Sequence, residues 1–332
     1  MIAYKLIMTS PLHLSTGGDS YEKTFHYLHS DTLFSALLAS WHYLYDDDPE
    51  VLVKNFSFKI SSAFPFYGQD FYFPKPLCSL PLTCDSQDAK ARKKLGKVTF
   101  VEKTLFEKMI AGDTVNTRDI CFSPGGALLG LKKDIADFFS EVEIARNVID
   151  RISGKTDIFY FSELHFRENS GLYFLADFAD ETIRKKFTAV LRFLGDEGIG
   201  GDRHVGKGLF DLQVSDSFTL NQPTGGGSLL NLSLYHPTRQ EIDSRLLDRS
   251  AYEIINRKGW ITAPGHANLR KKSLNMFLEG SVFSDIEEQD YGDIQLVAEK
   301  GPLLPFNVFR YGKGFMVKCR YTDGETHAED RI

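Results

Sequence analysis

The amino-acid sequence predicts an α+β protein of two domains, and three observations carry this prediction. The predicted elements up to residue 216 run strand, helix, strand, insertion, strand, helix, loop, strand, which is the βαββαβ order of a ferredoxin-like unit. The segment NQPTGGGS (221–228) has the composition of a linker. After it, short strand patterns and one helix-like segment, RQEIDSRLLD (239–248), indicate a second α+β unit. We therefore expect domains over 1–216 and 217–332.

The first elements follow from local patterns. MIAYKLIMTS predicts a strand from its alternation and from its β-branched and aromatic content. HSDTLFSALLASWHYLYDDD (29–48) predicts a helix with Ser30 as its N-cap and an apolar face. The members of that face are Leu33, Leu37, Trp41 and Leu44. FSFKI (56–60) then predicts a second strand.

An irregular insertion is expected over about 61–154. It is rich in prolines and contains two segments that favour short helices, VEKTLFEKMI (101–110) and LKKDIADFFSEVEIAR (131–146). Regular strands return at 157–166 and 171–178, and the RENSG segment between them predicts a hairpin. The helix pattern at 179–198 has an apolar face, and LFDLQV (209–214) alternates as the last strand.

Composition narrows the class of protein. The chain has 332 residues, of which 42% are hydrophobic and 25% charged, as in soluble globular proteins. No apolar run is long enough for a membrane span, and no secretory signal is evident, so we expect a cytoplasmic protein. The four cysteines form no CxxC pair, which predicts reduced thiols and no zinc site. A net charge of −6 argues against a nucleic-acid search through a general positive field, although local contacts remain open.

The segment GIGGDRHVGKGLF (198–210) carries the most specific motif. Gly201, Gly206 and Lys207 have the spacing of a phosphate-binding P-loop. However, the loop follows a predicted helix and opens a strand, and Gly208 stands where a P-loop has the hydroxyl that binds Mg²⁺. Both departures argue against nucleotide hydrolysis at this loop.

A different phosphate ligand explains the loop better. Glycines allow a close backbone approach, successive amides form anion-binding concavities, Arg203 offers a bidentate fork and Lys207 a point charge. The alternative is a tight helix-to-strand connection in which the glycines only turn the chain. The pattern favours a sugar-phosphate backbone lying across the loop. The candidate contacts are Gly198, Gly200, Gly201, Asp202, Arg203, His204, Gly206, Lys207 and Gly208.

A ferredoxin-like unit followed by this loop resembles the RAMP superfamily of CRISPR RNA-binding proteins. The closer resemblance is to the family of 5′-handle-binding subunits of type III-A (Csm) effector complexes, Csm subunit four. Four further segments carry it besides the loop, nearly from end to end. They are PLHLSTGG (11–18), HSDTLFSALLA (29–39), SGLYFLADF (170–178) and RYGKGF (310–315).

The resemblance implies a fold and partners. Such subunits have two RRM-like domains, and a thumb in the insertion wedges between guide and target RNA. They grip the 5′ handle of the CRISPR RNA (crRNA) and dock onto the large polymerase-like signalling subunit and the first backbone RAMP subunit. The basic segment KARKKLGK (90–97) suits a thumb that touches RNA. The further candidate RNA contacts are His13, Lys93, Lys94, Lys97, Arg118 and Arg310.

Catalysis is a separate question, because relatives in this superfamily cut CRISPR RNA without metal, using a histidine. His13, His26 and His29 are the candidates for a processing endoribonuclease. The loop of those nucleases lies near the C-terminus, whereas 209–332 follow it here, which favours a non-catalytic subunit. We therefore assign no catalytic residue, metal or cofactor. The equivalent type III-B subunit, and an assembly protein without RNA, remain alternatives.

Overall fold

A computed structural model gives the structure of the protein and describes residues 1–16, 22–54, 57–78, 82–83, 93–131, 135–261 and 269–321. Helices of five residues or more within these ranges are α1 (Ser30–Tyr45), α2 (Pro49–Lys54), α3 (Lys103–Ala111), α4 (Glu181–Glu197) and α5 (Arg239–Asp243). None of them is long and apolar enough to cross a membrane. The combination of mostly antiparallel sheets with a few helices confirms the predicted α+β class.

Strands make up most of the regular structure. Those before residue 216 are β1 (Ile2–Met8), β2 (Phe58–Ile60), β3 (Phe64–Tyr67), β4 (Asp70–Pro74), β5 (Leu82–Thr83), β6 (Phe100–Glu102), β7 (Val115–Asn116), β8 (Cys121–Phe122), β9 (Leu128–Gly130), β10 (Phe139–Ile149), β11 (Thr156–Phe166), β12 (Ser170–Phe178) and β13 (Phe210–Ser215). Those after it are β14 (Ser228–Asn231), β15 (Ile254–Arg257), β16 (Leu274–Phe277), β17 (Val282–Ser284), β18 (Ile294–Ala298), β19 (Val308–Tyr311) and β20 (Met316–Cys319).

Nine of these strands form one large sheet. Its order is β13-β1-β12-β3-β4-β6-β9-β8, and β2 also pairs with β12. Strand β1, next to the edge strand β13, is antiparallel to both of its neighbours, so that Tyr4 lies opposite Phe174 and Val214. The segment 61–154 contributes β3, β4, β6, β9 and β8 to this sheet. The glycine-rich loop precedes the edge strand β13, and β8 forms the opposite edge.

The sheet is buried on both faces. Along β12, Leu172 and Phe174 pack with helices α1 and α4, whereas Tyr173 and Leu175 point to the other face. The helix side of this core comes from the apolar stripes that the sequence predicts. The buried members of these stripes are Leu33, Leu37 and Trp41 of α1 and Phe187, Val190, Leu191 and Leu194 of α4. Phe34 of α1, not among the predicted members, is buried as well. Burying each such side chain stabilises the fold by about 1.5–3 kcal/mol.

The second half of the chain covers the other face of the sheet. Leu230, Leu232, Val282 and Val317 belong to the same buried cluster as Tyr173. The apolar core therefore continues across residue 216, where the sequence predicts a domain boundary. This packing places the C-terminal half beside the N-terminus of α1 and the glycine-rich loop.

Two predictions about the segment before β12 are wrong. Residues 139–146, predicted to be helical, lie in β10, which pairs with β11 from Phe139 opposite Phe166 to Ile149 opposite Thr156. RENSG does not form a hairpin, because both edges of β12 are taken by β1 on one side and by β2 and β3 on the other. Cross-strand pairing with distant residues therefore overrides both local signals.

Smaller differences concern α1. The N-cap is His29, and Ser30 is the first helical residue, whose Oγ instead accepts a hydrogen bond from the Leu234 backbone N at 2.9 Å. Leu44, predicted on the apolar face, is 39% exposed. The helix predicted at VEKTLFEKMI is confirmed as α3, and part of RQEIDSRLLD is confirmed as α5.

Candidate nucleic-acid interface

The glycine-rich loop is closed at its base by backbone hydrogen bonds. The Ile199 N–H donates to the Gly208 carbonyl at 2.9 Å, and the Gly208 N–H donates to the Pro11 carbonyl at 2.8 Å. Between these points the chain makes a short 3₁₀ turn at Arg203–Val205. The loop thus projects from the junction of α4 and β13 and rests on the segment that follows β1.

Two glycines of the loop have the same backbone conformation but different surroundings. Gly206 has φ 78° and Gly208 has φ 75°, in the left-handed region that favours glycine. A Cβ on Gly208 would lie 2.8 Å from the Ile199 nitrogen and closer still to its carbonyl oxygen. A Cβ on Gly206 would meet nothing within 4 Å. Gly208 is therefore needed for the turn itself, whereas Gly206 borders open space.

His13 connects the loop to β11 through hydrogen bonds. The Gly201 N–H donates to the His13 carbonyl at 2.9 Å, and the His13 Nδ1–H donates to the Ser162 carbonyl of β11 at 2.6 Å. The side chain is only 3% exposed, and burial lowers its pKa. His13, predicted to contact RNA, therefore lies between the loop and β11 as a neutral, buried imidazole.

Two charged residues of the loop are paired with the β10–β11 hairpin. Lys207 forms an ion pair with Glu163 of β11, and Asp202 accepts a hydrogen bond from Arg146 of β10 at 2.5 Å. Burial, and secondarily the Arg146 charge, lowers the pKa of Lys207. These pairs clamp the loop to the hairpin, so the Lys207 ammonium is already neutralised within the protein.

Arg203 faces a cavity of about 360 Å³ between the loop, α1 and the C-terminal half. The Arg203 side chain is exposed, and His204 beside it is exposed as well. The basic residues that line the cavity are Arg203, Arg257, Lys258, Lys271 and Arg310. Asp31 is the only acidic residue among the described residues of this lining, so five positive charges minus one negative leave an excess of four.

Asp31 and two arginines form a buried cluster at the back of this cavity. Arg257 Nε and Nη2 donate to the two oxygens of Asp31 at 3.0 and 2.9 Å, and Arg310 Nε lies 3.8 Å from Asp31 Oδ2. Burial by itself would raise the pKa of Asp31, but Arg257 and Arg310 hold it well below its usual range. Arg310 Nη1 is buried without a hydrogen-bond partner among the described residues. Arg310 thus has capacity for one more acceptor.

His29 and Glu279 form a second contact between the two halves. The His29 Nδ1–H donates to Glu279 Oε1 at 2.9 Å, and the hydroxyls of Tyr27 and Ser62 donate to the same carboxylate. The acid of this cluster comes from the C-terminal half, whereas Asp31 comes from α1. These two clusters, with one carboxylate from each half of the chain, fix the C-terminal half against the helix that borders the cavity. His26, exposed, pairs with Glu141 at 3.0 Å.

A second cavity, of about 810 Å³, adjoins the first along α1. Four residues line both cavities: Ser35, Ala39, Arg203 and Lys271. Together the two cavities form one cleft between α1 and the C-terminal half, and Arg203 stands at their junction. We call this surface the loop cleft.

The structure does not bring the remaining predicted residues to the loop cleft. Lys93, Lys94 and Lys97 are exposed, and the Lys94 Nζ lies 5.6 Å from the Phe122 ring of β8. Arg118 is exposed just before β8. These cations lie at the edge of the sheet opposite the loop, and residues 90–92 of the basic segment are outside the described residues.

Sequence reasoning missed several residues of the cavity, among them Arg257, Lys258 and Trp260. The sequence does carry a signal for them in RKGW (257–260), which has two basic residues and one aromatic residue in four positions. Lys271 belongs to LRKK (269–272), a basic cluster visible in the sequence without any indication of its place. Within the described part of the chain, no group of three or more His, Cys, Asp or Glu residues is placed to hold a metal ion.

Comparisons with known proteins agree with this geometry. Residues 5–211 match the RAMP superfamily model, and residues 225–319 match that of the CRISPR Csm4 C-terminal domain. The chain is 30% identical to the CRISPR system Cms protein Csm4 of Thermococcus onnurineus over 243 residues, 70% of this chain and 78% of the relative. It is 26% identical to the Csm4 protein of Mycobacterium tuberculosis over 242 residues, 70% of this chain and 72% of that protein.

Solved structures show the same fold. A chain of the Csm3–Csm4 subcomplex of the type III-A CRISPR–Cas interference complex aligns with a TM-score of 0.66 and 18% identity, covering 97% of this chain and 100% of that one. A chain of the Csm1–Csm4 cassette in complex with cA4 aligns at 0.61 and 23%, covering 97% and 99%. The resemblance that the sequence motifs indicate is confirmed, and the chain belongs to the RAMP superfamily and, within it, to the Csm4 family of CRISPR proteins.

Proposed function

We propose that the protein is the RNA-binding subunit of a type III-A (Csm) interference complex that grips the 5′ handle of crRNA. The observation that carries the proposal is the loop cleft. Its first cavity, of about 360 Å³, which we call the inner cavity, joins a glycine-rich loop to an excess of four positive charges. Such a surface neutralises a phosphate backbone. It also explains how a chain of net charge −6 holds RNA, because the positive charge is concentrated where the strand lies.

Arg203 is the residue best placed to meet the RNA backbone. It is exposed and lines both cavities, and it has no ion pair or hydrogen bond from its side chain among the described residues. Gly206 beside it borders open space and allows a strand to approach the loop closely. Lys207 contributes by holding the loop on the hairpin rather than by binding phosphate directly.

The domain architecture is part of the proposal. In the large sheet the order β13-β1-β12-β3, antiparallel throughout, supports a ferredoxin-like first unit, with β13 as its fourth strand and β12 as its third. The thumb that meets target RNA would then be the β10–β11 hairpin, which has exposed apolar side chains at Val148, Ile149 and Ile152. We propose an RRM-like fold for the C-terminal half as well.

The partners follow from the family. Solved structures with this fold include chains of a Csm1–Csm4 cassette and of a Csm3–Csm4 subcomplex. By analogy, this chain would bind the large signalling subunit and the first backbone RAMP subunit. The Csm4 relatives favour a Csm complex over its type III-B counterpart. We place the complex in the cytoplasm, where free thiols such as Cys121 stay reduced.

We further propose that the subunit does not cleave RNA. A histidine that acts as general acid or base must reach the ribose 2′-hydroxyl. The imidazoles of His13 and His29 are buried and hydrogen-bonded, to Ser162 and Glu279 respectively. The exposed His26 pairs with Glu141 of the hairpin and does not line the cavity beside the glycine-rich loop.

The first experiment uses labelled RNA that carries a CRISPR repeat, mixed with the purified protein in EDTA. Native gels measure binding and denaturing gels measure cleavage. We expect a shifted but intact band, and Arg203→Ala should reduce the slope of log affinity against log salt by about 1. The matched control is Arg239→Ala, which also removes one positive charge but at an exposed position of α5 outside the cleft. This variant should leave the slope unchanged.

Two results would contradict this function. Cleavage at one position in EDTA would identify a processing endoribonuclease, and His13, His26 and His29 would then be changed in turn. Equal RNA affinity and salt slope for Arg203→Ala and Arg239→Ala would remove the loop cleft as the contact surface.

A further inference from the structure

One residue of the inner cavity is unexplained by a surface that only binds phosphates. Trp260 lines the cavity and is 42% exposed, although tryptophan is highly buried on average. The Arg270 guanidinium lies 4.3 Å from the centre of its ring, so one face of the indole is covered by a cation. A guanidinium stacked on an indole makes a rigid planar platform at the cavity wall.

The volume of the cavity also exceeds what a phosphate group needs. At about 360 Å³ it lies at the lower end of the ~300–1,000 Å³ range of small-molecule sites. Its lining includes the aromatic residues Phe25 and Tyr27 besides Trp260. Aromatic walls together with cations suit a ligand that has both a flat apolar part and a negative charge.

The charges lie on the same lining as the aromatic residues. Lys271 is half-buried with a pKa lowered by burial and secondarily by Arg310, so the two cations destabilise each other. Arg310 keeps the buried, unpartnered Nη1 described above. A phosphate next to these two residues would relieve both the repulsion and the missing hydrogen bond.

We propose that the inner cavity holds one unstacked nucleotide of the bound RNA, with its base against Trp260 and its phosphate beside Lys271 and Arg310. Bases splayed out of single-stranded RNA stack on aromatic side chains and guanidinium planes, which is the combination that Trp260 and Arg270 provide. The proposal rests on the proposed function, because it places one nucleotide of the same RNA. The C-terminal half then selects the register of the strand that the glycine-rich loop holds.

The test is a scan of repeat RNAs in which one handle nucleotide at a time is replaced by an abasic nucleotide. For the unchanged protein we expect one position where the replacement weakens binding about tenfold or more, the usual effect of removing one base stack. In Trp260→Ala the same RNA should bind as well as the unmodified RNA does. Trp260→Phe should restore the difference between the two RNAs, because a phenyl ring still stacks.

A fluorescence measurement locates the base directly. With 2-aminopurine at the sensitive position, binding to the unchanged protein should quench the probe, and Trp260→Ala should relieve the quenching. Tyr43→Ala is the matched control, since Tyr43 is an exposed aromatic residue of α1 that does not line the cavity. It should preserve both the abasic penalty and the quenching.

The outcomes separate this proposal from the proposed function. Suppose that repeat RNA binds, that Arg203→Ala weakens this binding, and that each abasic position lowers the affinity of Trp260→Ala as much as that of the unchanged protein. The nucleotide subsite is then refuted, while the RNA-binding function stands. If repeat RNA does not bind at all, the function itself fails. Circular dichroism of Trp260→Phe and Trp260→Ala checks that both variants are folded, and Lys271→Gln should reproduce the loss of the sensitive position without touching the indole.

Discussion

Gly206 and Gly208 offer a matched pair of substitutions that tests the structure of the glycine-rich loop. Both residues have nearly the same φ, so alanine at either position carries the same backbone strain, about 1–2 kcal/mol. The two positions differ only in what the new methyl group meets. Gly206→Ala places it in open space, whereas Gly208→Ala drives it into the backbone of Ile199.

The cost at Gly208 can be worked out from its contacts. Relieving the clash must move the chain away from Ile199 and Pro11, which weakens two backbone hydrogen bonds worth about 1 kcal/mol each. Overpacking adds about 1–3 kcal/mol. We therefore expect Gly208→Ala to lower the free energy of unfolding by about 4–7 kcal/mol, against about 1–2 kcal/mol for Gly206→Ala.

Urea denaturation followed by far-ultraviolet circular dichroism measures both values on the same scale. The midpoint of Gly208→Ala should fall well below that of Gly206→Ala, with equal slopes if the unfolding remains two-state. A difference of less than about 1 kcal/mol between the two variants would mean that Ile199 does not lie against Gly208 in solution. The closed base of the loop would then be refuted.

Two further predictions concern buried charge. Asp31→Asn leaves Arg257 and Arg310 without their buried carboxylate and should lower the free energy of unfolding by about 3–5 kcal/mol. The control Glu181→Gln breaks an exposed ion pair on α4 and should change the free energy of unfolding by about 1 kcal/mol or less. Similar urea midpoints for the two variants would contradict the buried cluster. Burial lowers the pKa of His13 in the folded protein, so His13 takes up a proton at higher pH in the unfolded chain than in the folded one. The stability that the neutral ring contributes is therefore present above the unfolded-state pKa near 6.5. It is lost as the pH falls through the folded-state pKa. Urea unfolding at about pH 7.5 and about pH 5.5 should show that His13→Gln loses less stability on acidification than the unchanged protein does, and an equal loss would exclude His13 as the titrating group.

The candidate site shows which features could be predicted from the sequence. The spacing of glycines and cations identified the loop, and Arg203 proved to be exposed at the cleft. The same spacing could not reveal that Lys207 is paired within the protein, because its ion-pair partner Glu163 belongs to a strand far away in the chain. Arg310 was predicted as an RNA contact, but its burial beside Asp31 depends on the packing of the C-terminal half on α1.

Strand pairing was the weakest part of the sequence interpretation. The strands β11 and β12 were predicted correctly, yet their hairpin was not, since a turn signal competes with every other edge that a strand can pair with. Residues 139–146 carry Glu and Ala, which favour a helix, but eleven paired positions with β11 outweigh that preference.

The sequence by itself determined the α+β class, the apolar stripes of α1 and α4 and the glycine-rich loop, because each depends on residues close together in the chain. The tertiary structure decided what surrounds the loop. It buried His13, paired Lys207 with the hairpin, and brought Arg257, Trp260 and Lys271 of the C-terminal half to the cavity beside Arg203. These contacts depend on packing the second half against the helix layer and the far face of the sheet, which joins residues more than two hundred positions apart.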